Sequence, residues 1–239
     1  MSDDTLRAVL DRPVESVEDV IQTMRAIAAE LPPQDGVARF NQLYLSMTES
    51  VRSSIAVDRF EDAAFMARLD VVFAGYYFDA VRRGITSADA VPMPWRPLFA
   101  ARHRVDRHPL LFALCGMNAH INYDLAHALV ATAGELGGAI EFGSARHRDY
   151  DRINRVLAET EPTVKQRFLD GVLAELDRAF GDVDDRAALW SIFRARDAAW
   201  TSAALMWWRR SSPAVTIPAG LPESLSAEAV GLIGKLLVL

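Results

Sequence analysis

The chain has one cysteine in 239 residues, Cys115. No disulfide framework can form within it, so a reducing compartment is the expected setting, and the lone mid-helix thiol reads as packing. Basic clusters are also missing. Lys and Arg number 26 against 32 Asp and Glu, a net charge of −6, and that balance excludes a general nucleic-acid surface. No run reaches the roughly 18 apolar residues of a membrane span. The opening MSDDTLRAVLDRP carries acids and no apolar segment, unlike a secretory signal, so a cytoplasmic protein with no membrane partner is expected. Period-two strand patterns, low-complexity tracts and internal repeats are not found. Nor are the phosphate-cradling P-loop, a G-x-G-x-x-G after a strand, or a G-x-S-x-G elbow, which disfavours nucleotide-dependent and serine-hydrolase chemistry.

What remains is apolar sequence at helical spacing. Hydrophobic residues make up 51% of the chain, ample for a core. The expected fold is all-α: one domain over residues 1–239, a bundle of about eight helices around a central apolar helix. Residues 1–14 are expected to be a loosely ordered N-terminal segment. Ser16 and Asp19 open a helix in capping style, running to about Leu31. A second helix, from Gly36, puts Phe40, Leu43, Tyr44 and Met47 on one face, with Asn41 and Thr48 as core hydrogen bonders. A third covers Phe60 to Arg83, where Asp70 shares a stripe with Phe73 and Tyr77. A carboxylate among apolar neighbours is either paired with an arginine or part of a site, since unpaired burial is prohibitive.

The central helix is PLLFALCGMNAHINYDLAHALVATAGE, from Pro109 to Glu135. Proline suits its first turn, and Gly134, Gly137 and Gly138 suit its exit. At about 100° per residue, His120, Asp124 and His127 share a narrow stripe with Ala113, Gly116 and Ala131. Either that stripe faces water, or its small residues leave room for His120 and Asp124 to project into a cavity. In the second case the carboxylate orients the imidazole as an acid/base, or the two share a metal. Asn118 and Asn122, one turn apart on the opposite side, are a polar bridge to a neighbouring helix or a ligand contact.

Other polar residues extend the candidate site. His147, Asp151 and Asn154 repeat the spacing on a later helix, and His120, Asp124, His147 and Asp151 together form a candidate divalent-metal site between two helices. The connector VPMPWRPLFAARHRVDRHP offers Trp95 and Arg96 as loop contacts to a ligand, or is simply a stiff crossover. Further helices are expected over 163–180 and 185–210. The latter aligns Trp190, Arg194, Asp197, Thr201 and Trp208, with Arg194 and Asp197 as an i, i+3 pair in a pocket wall or a polar strut. An amphipathic helix from near Pro222 packs on the core or forms a homodimer contact.

The phrases GVARFNQLYL, FMARLDVVFAGYYFDAV, WRPLF, PLLFALCGMNAHINYDL, RDYDRIN and WSIFRARDAAW together resemble a bacterial, mainly actinobacterial family catalogued as a domain of unknown function. The likeness spans about residue 15 to 239, and GMNAHINYDL is its most specific part. It implies one intact domain and carries over no catalytic role. The family's pattern takes in Asn118, His120, Asn122, Asp124, Asp149, Tyr150 and Asn154, but not His127 or His147.

The leading expectation is an enzyme acting on a small molecule by hydrolysis or by acid/base elimination or cyclisation. His120 and Asp124 would be its catalytic or metal-binding pair, and Asn118, Asn122, Asp70, Tyr77, Trp95, Arg194 and Asp197 its substrate contacts. The alternative is a non-catalytic helical protein that holds an apolar ligand.

Overall fold

A computed structural model of the chain describes residues 3–56, 60–107, 109–159 and 185–211. Among them every regular element is helical: α1 (Asp3–Leu10), α2 (Val17–Glu30), α3 (Gly36–Ala56), α4 (Ala63–Gly84), α5 (Arg96–Ala101), α6 (Pro109–Ala119), α7 (Leu125–Leu136), α8 (Ala145–Glu159) and α9 (Asp185–Ser211), with short 3-10 turns at Ala88–Ala90 and Met93–Trp95. The all-α expectation holds. No helix of the described residues is long and apolar enough to cross a membrane. The expected helices at 163–180 and after Pro222 lie outside the described residues.

Local chemistry sets the helix starts. Ser16 caps α2, accepting from the Asp19 N–H while the Asp19 carboxylate accepts from the Ser16 N–H. This capping box satisfies donors that the helix itself cannot. Asp35 begins α3 by accepting from the Val37 N–H at 2.8 Å. Its second oxygen is held by the buried Arg102 guanidinium at 2.7 Å, and the Gly36 N–H donates to the Arg102 carbonyl. The end of α5 is thereby pinned to the start of α3.

The N-terminal segment corrects the sequence reading. Asp3–Leu10 is a helix, not a loose leader, and Leu6, Val9 and Leu10 are buried in the core. Their i, i+3, i+4 spacing gives one apolar stripe to bury, and Arg82 ties the helix end to α4 through the Leu10 carbonyl and Asp11. A second correction falls on the central rod. Pro109 starts it and Gly137, at φ +74°, ends it, but it is not one α-helix. A π-helical turn, His120–Asp124, separates α6 from α7, and the Leu125 N–H donates to the His120 carbonyl five residues back. Such turns widen a helix by one residue and recur at functional sites.

The core consists of two clusters, and three helices run from one into the other. In the rod, Phe112, Cys115 and Ala119 belong to the first cluster, and Leu125, Ala126, Ala128 and Leu129 to the second. In α4, Leu69 ends the run in the second cluster and Val71 begins the run in the first. In α3, Phe40 and Tyr44 join the first, whereas Val51 packs on the second. Thr48, Asp70 and the π turn thus sit where their helices cross between cores. Phe73 packs against both clusters.

Away from that seam, polar groups bind elements together. The fully buried Asp149 on α8 accepts from the N–H groups of Glu61 and Asp62 at 3.0 and 2.7 Å and pairs with Arg152 at 2.6 Å. Arg146 reaches Asp62, while Arg148 and Arg152 reach Glu61. Those guanidiniums hold the Glu61 carboxyl down to about 2. The start of α4 is therefore fastened to α8. On the other side of α8, Tyr150 donates to the Arg196 carbonyl, and Arg196 donates to Asn154 and to the Tyr150 carbonyl, which locks α8 to α9.

Candidate functional site

His120 and Asp124 face inward. Their exposures are 2% and 1%. The imidazole Nδ1 lies 2.7 Å from Asp124 Oδ2, and the same oxygen accepts from the Trp95 indole N–H at 3.0 Å. A carboxylate oxygen that already accepts from the indole fits a hydrogen on imidazole Nδ1, which leaves Nε2 its lone pair. That Nε2 is buried and has no hydrogen-bond partner. Burial holds the imidazole below its ordinary 6.5, against the opposing pull of Asp124. The imidazole is thus oriented through Nδ1, with Nε2 buried and unpartnered.

Each constraint has a source in the fold. The π turn places the imidazole and carboxylate one above the other while both face the seam. Trp95, fully buried at the end of a proline-built 3-10 turn, reaches the carboxylate from the connector. Tyr77 supports this corner. Its hydroxyl donates to Asn41, whose amide donates to the Met24 carbonyl, and its ring lies against Trp95. Gly116 lets Phe40 close on the rod, because a Cβ there would come within 2.4 Å of the Phe40 ring.

The imidazole is walled by rings. Phe73 stacks on it at 3.6 Å and 5° between planes, and Tyr44 meets it edge-on at 4.7 Å. The same helices, α3 and α4, carry further buried polar atoms without partners: Tyr44 Oη, Thr48 Oγ1 and Asp70 Oδ2. Burial, then the Asp70 and Asp124 carboxylates, push the Tyr44 phenol well up, which places it in the field of both acids. Asp70 as a whole is only partly covered, yet its Oδ2 is enclosed, and burial pushes its carboxyl up to about 7. Among the described residues no arginine pairs with Asp70, unlike Asp35 and Asp149. Buried polar atoms normally find partners, and these four belong to the stretches of α3, α4 and the rod that pass from one core cluster to the other.

Other sequence-selected residues lie elsewhere. Asn122 donates to the Asn118 side chain at 2.7 Å, a bond within the rod. His127 packs against the Tyr76 and Tyr123 rings. His147 and Asp151, 3.7 Å apart, sit on α8 where His147 meets Phe142 and Trp200. His120 belongs to a different set of rings, so the fold does not bring the two pairs together as the four-residue metal site expected. Among the described residues no group of three or more His, Cys, Asp or Glu side chains is arranged to hold a metal. Arg194 and Asp197 are exposed, Trp208 is 46% exposed, and the buried arginine of that helix is Arg196. The reason is helical phase: Arg196 shares a face with Ala199, Trp200 and Ala203, all buried.

Sequence reasoning missed Tyr44, Thr48 and Phe73 as site walls. The available signals were the i, i+4 spacing of Tyr44 and Thr48 and the i, i+3 spacing of Asp70 and Phe73. They carried weight only once α3, α4 and the rod were known to cross between cores at the same level.

The fold is that of an all-α protein with a buried Trp95–Asp124–His120 hydrogen-bond chain where two core clusters meet. The chain belongs to the family of unknown function DUF5995, whose model matches residues 17–238. No curated protein and no solved structure matches it.

Proposed function

We propose that this protein is an enzyme acting on a small molecule, with His120 as its general acid/base and Asp124 as the group that orients it. The observation that carries this reading is the asymmetry of the imidazole: Nδ1 is fixed by a carboxylate that Trp95 also holds, whereas Nε2 is buried and unpartnered. A purely structural histidine would satisfy both nitrogens, since an unpaired buried polar atom costs about 1–3 kcal/mol. A base must keep one lone pair open to take a proton from a bound substrate or water. Hydrolysis, elimination and cyclisation all use such a step. Asp124 then stabilises the imidazolium that forms, and the low polarity around it strengthens that attraction.

The test works with the substrate unidentified. A metabolite extract is incubated with wild-type protein, with His120→Gln and with Asp124→Asn, and the mixtures are followed by mass spectrometry. The expected result is a compound consumed by the wild type and retained by both variants, each folded by circular dichroism. A compound that binds all three proteins and is never altered would replace the catalytic reading with that of a binding protein.

A further inference from the structure

The site carries acids without a counter-charge. Asp124 accepts from two neutral donors, Trp95 and His120, and Asp70 Oδ2 accepts from nothing. Among the described residues neither carboxylate is paired with an arginine or lysine, whereas Asp149 and Asp35 each hold a guanidinium. Asp124 is bonded instead to two rings, Trp95 and His120, and the Tyr44 phenol lies in the field of both acids. Phe40, Tyr44, Phe73, Tyr77 and Trp95 all lie with centroids between 3.6 and 6.2 Å of the His120 ring. Buried carboxylates require a positive partner or a proton, and ring faces attract cations. The unpartnered atoms agree in kind: His120 Nε2 is an acceptor only, and Asp70 Oδ2 is an acceptor whenever it is ionised.

We propose that the seam between the two cores binds a small organic ammonium, its N–H groups directed at Asp70 Oδ2 and His120 Nε2 and its carbon atoms held against Phe73 and Tyr44. This deepens the catalytic reading and rests on it for one point only, that the guest is also the substrate. An ammonium supplies the missing charge and the missing donors in one group. An alcohol would donate without neutralising, and a carboxylate would meet two like charges. Asp70's hold on its proton, up to about 7, is the same shortage seen without a guest.

Three probes of equal length separate these cases: n-propylamine, n-propanol and sodium propionate. Each is titrated at about pH 8 into the full chain, following the His120 ring signals by NMR. Propylamine is expected to shift those signals saturably, with a Kd at least about tenfold below that of propanol and no saturable effect from propionate. Asp70→Asn keeps the shape and removes the charge, and should raise the propylamine Kd by about tenfold or more. Tyr44→Phe, which removes a hydroxyl and keeps the ring, should weaken it less. Equal binding of propanol, tighter binding of propionate, unchanged affinity in Asp70→Asn, or no saturable shift from any probe would overturn the proposal. Binding is read here without turnover. Ammonium binding with no metabolite consumed would leave this inference standing and remove the catalytic one, and consumption of a compound with no amine would do the reverse.

Discussion

Asp70→Asn should make the protein more stable, and only at neutral to alkaline pH. The Asp70 carboxyl is pushed from an ordinary 3.8 up to about 7 by burial alone. Between those values the folded chain holds a proton that the unfolded chain releases, so folding becomes less favourable as pH rises. The loss begins near the unfolded value and is complete above the folded one. At about 1.4 kcal/mol for each tenfold change in proton affinity, the displacement corresponds to about 4 kcal/mol at most. That is a large fraction of the stability of an ordinary domain. Asparagine has nearly the same shape and no charge to desolvate. Urea unfolding of both proteins at about pH 4, 6 and 8 measures the difference directly. The variant should match the wild type near pH 4 and exceed it by roughly 2–4 kcal/mol at pH 8. A difference that does not change with pH would mean that Asp70 is solvated or paired, and the argument for an unneutralised seam would fail.

Other outcomes follow from the same geometry. His120 is held below 6.5 by burial, so its contribution is fully present above that value and is lost as pH falls toward the folded value; His120→Gln should make the acid limb of the stability profile shallower. Trp95→Phe removes the N–H that Asp124 Oδ2 accepts at 3.0 Å, and should lower stability by about 1–3 kcal/mol in urea unfolding, with a further change in the His120 ring shifts. Asp149→Ala strands the Glu61 and Asp62 N–H groups and takes one carboxylate partner from Arg152, which keeps Glu61; a loss of about 2–4 kcal/mol is expected, with faster amide exchange at the start of α4. Gly116→Ala puts a methyl group 2.4 Å from the Phe40 ring and should lower stability by about 1–3 kcal/mol through overpacking.

The all-helical fold, the cap at Ser16, the end of its helix near Leu31 and the ends of the central rod are local matters. Periodicity, capping chemistry, proline and glycine decide them within a few residues of chain, and they are written in the sequence for that reason. The spacing of His120 and Asp124 was also legible there, as were Asn41 as a core hydrogen bonder and Asp70 as an acid in apolar company. Which way a polar stripe faces is not a local matter. Arg194 and Arg196 are two residues apart on one helix, yet one is exposed and the other buried, because only the partner helix fixes the phase. Leu6, Val9 and Leu10 look like the start of a loose tail until α4 is there to receive them. The two His–Asp pairs have equal spacing, and tertiary packing alone sends one into a ring-lined seam and the other to α8. Local sequence determined that this chain forms helices and where they stop. Tertiary packing decided that Tyr44, Phe73, Trp95 and His120 meet, since the groups that gather there come from segments tens of residues apart.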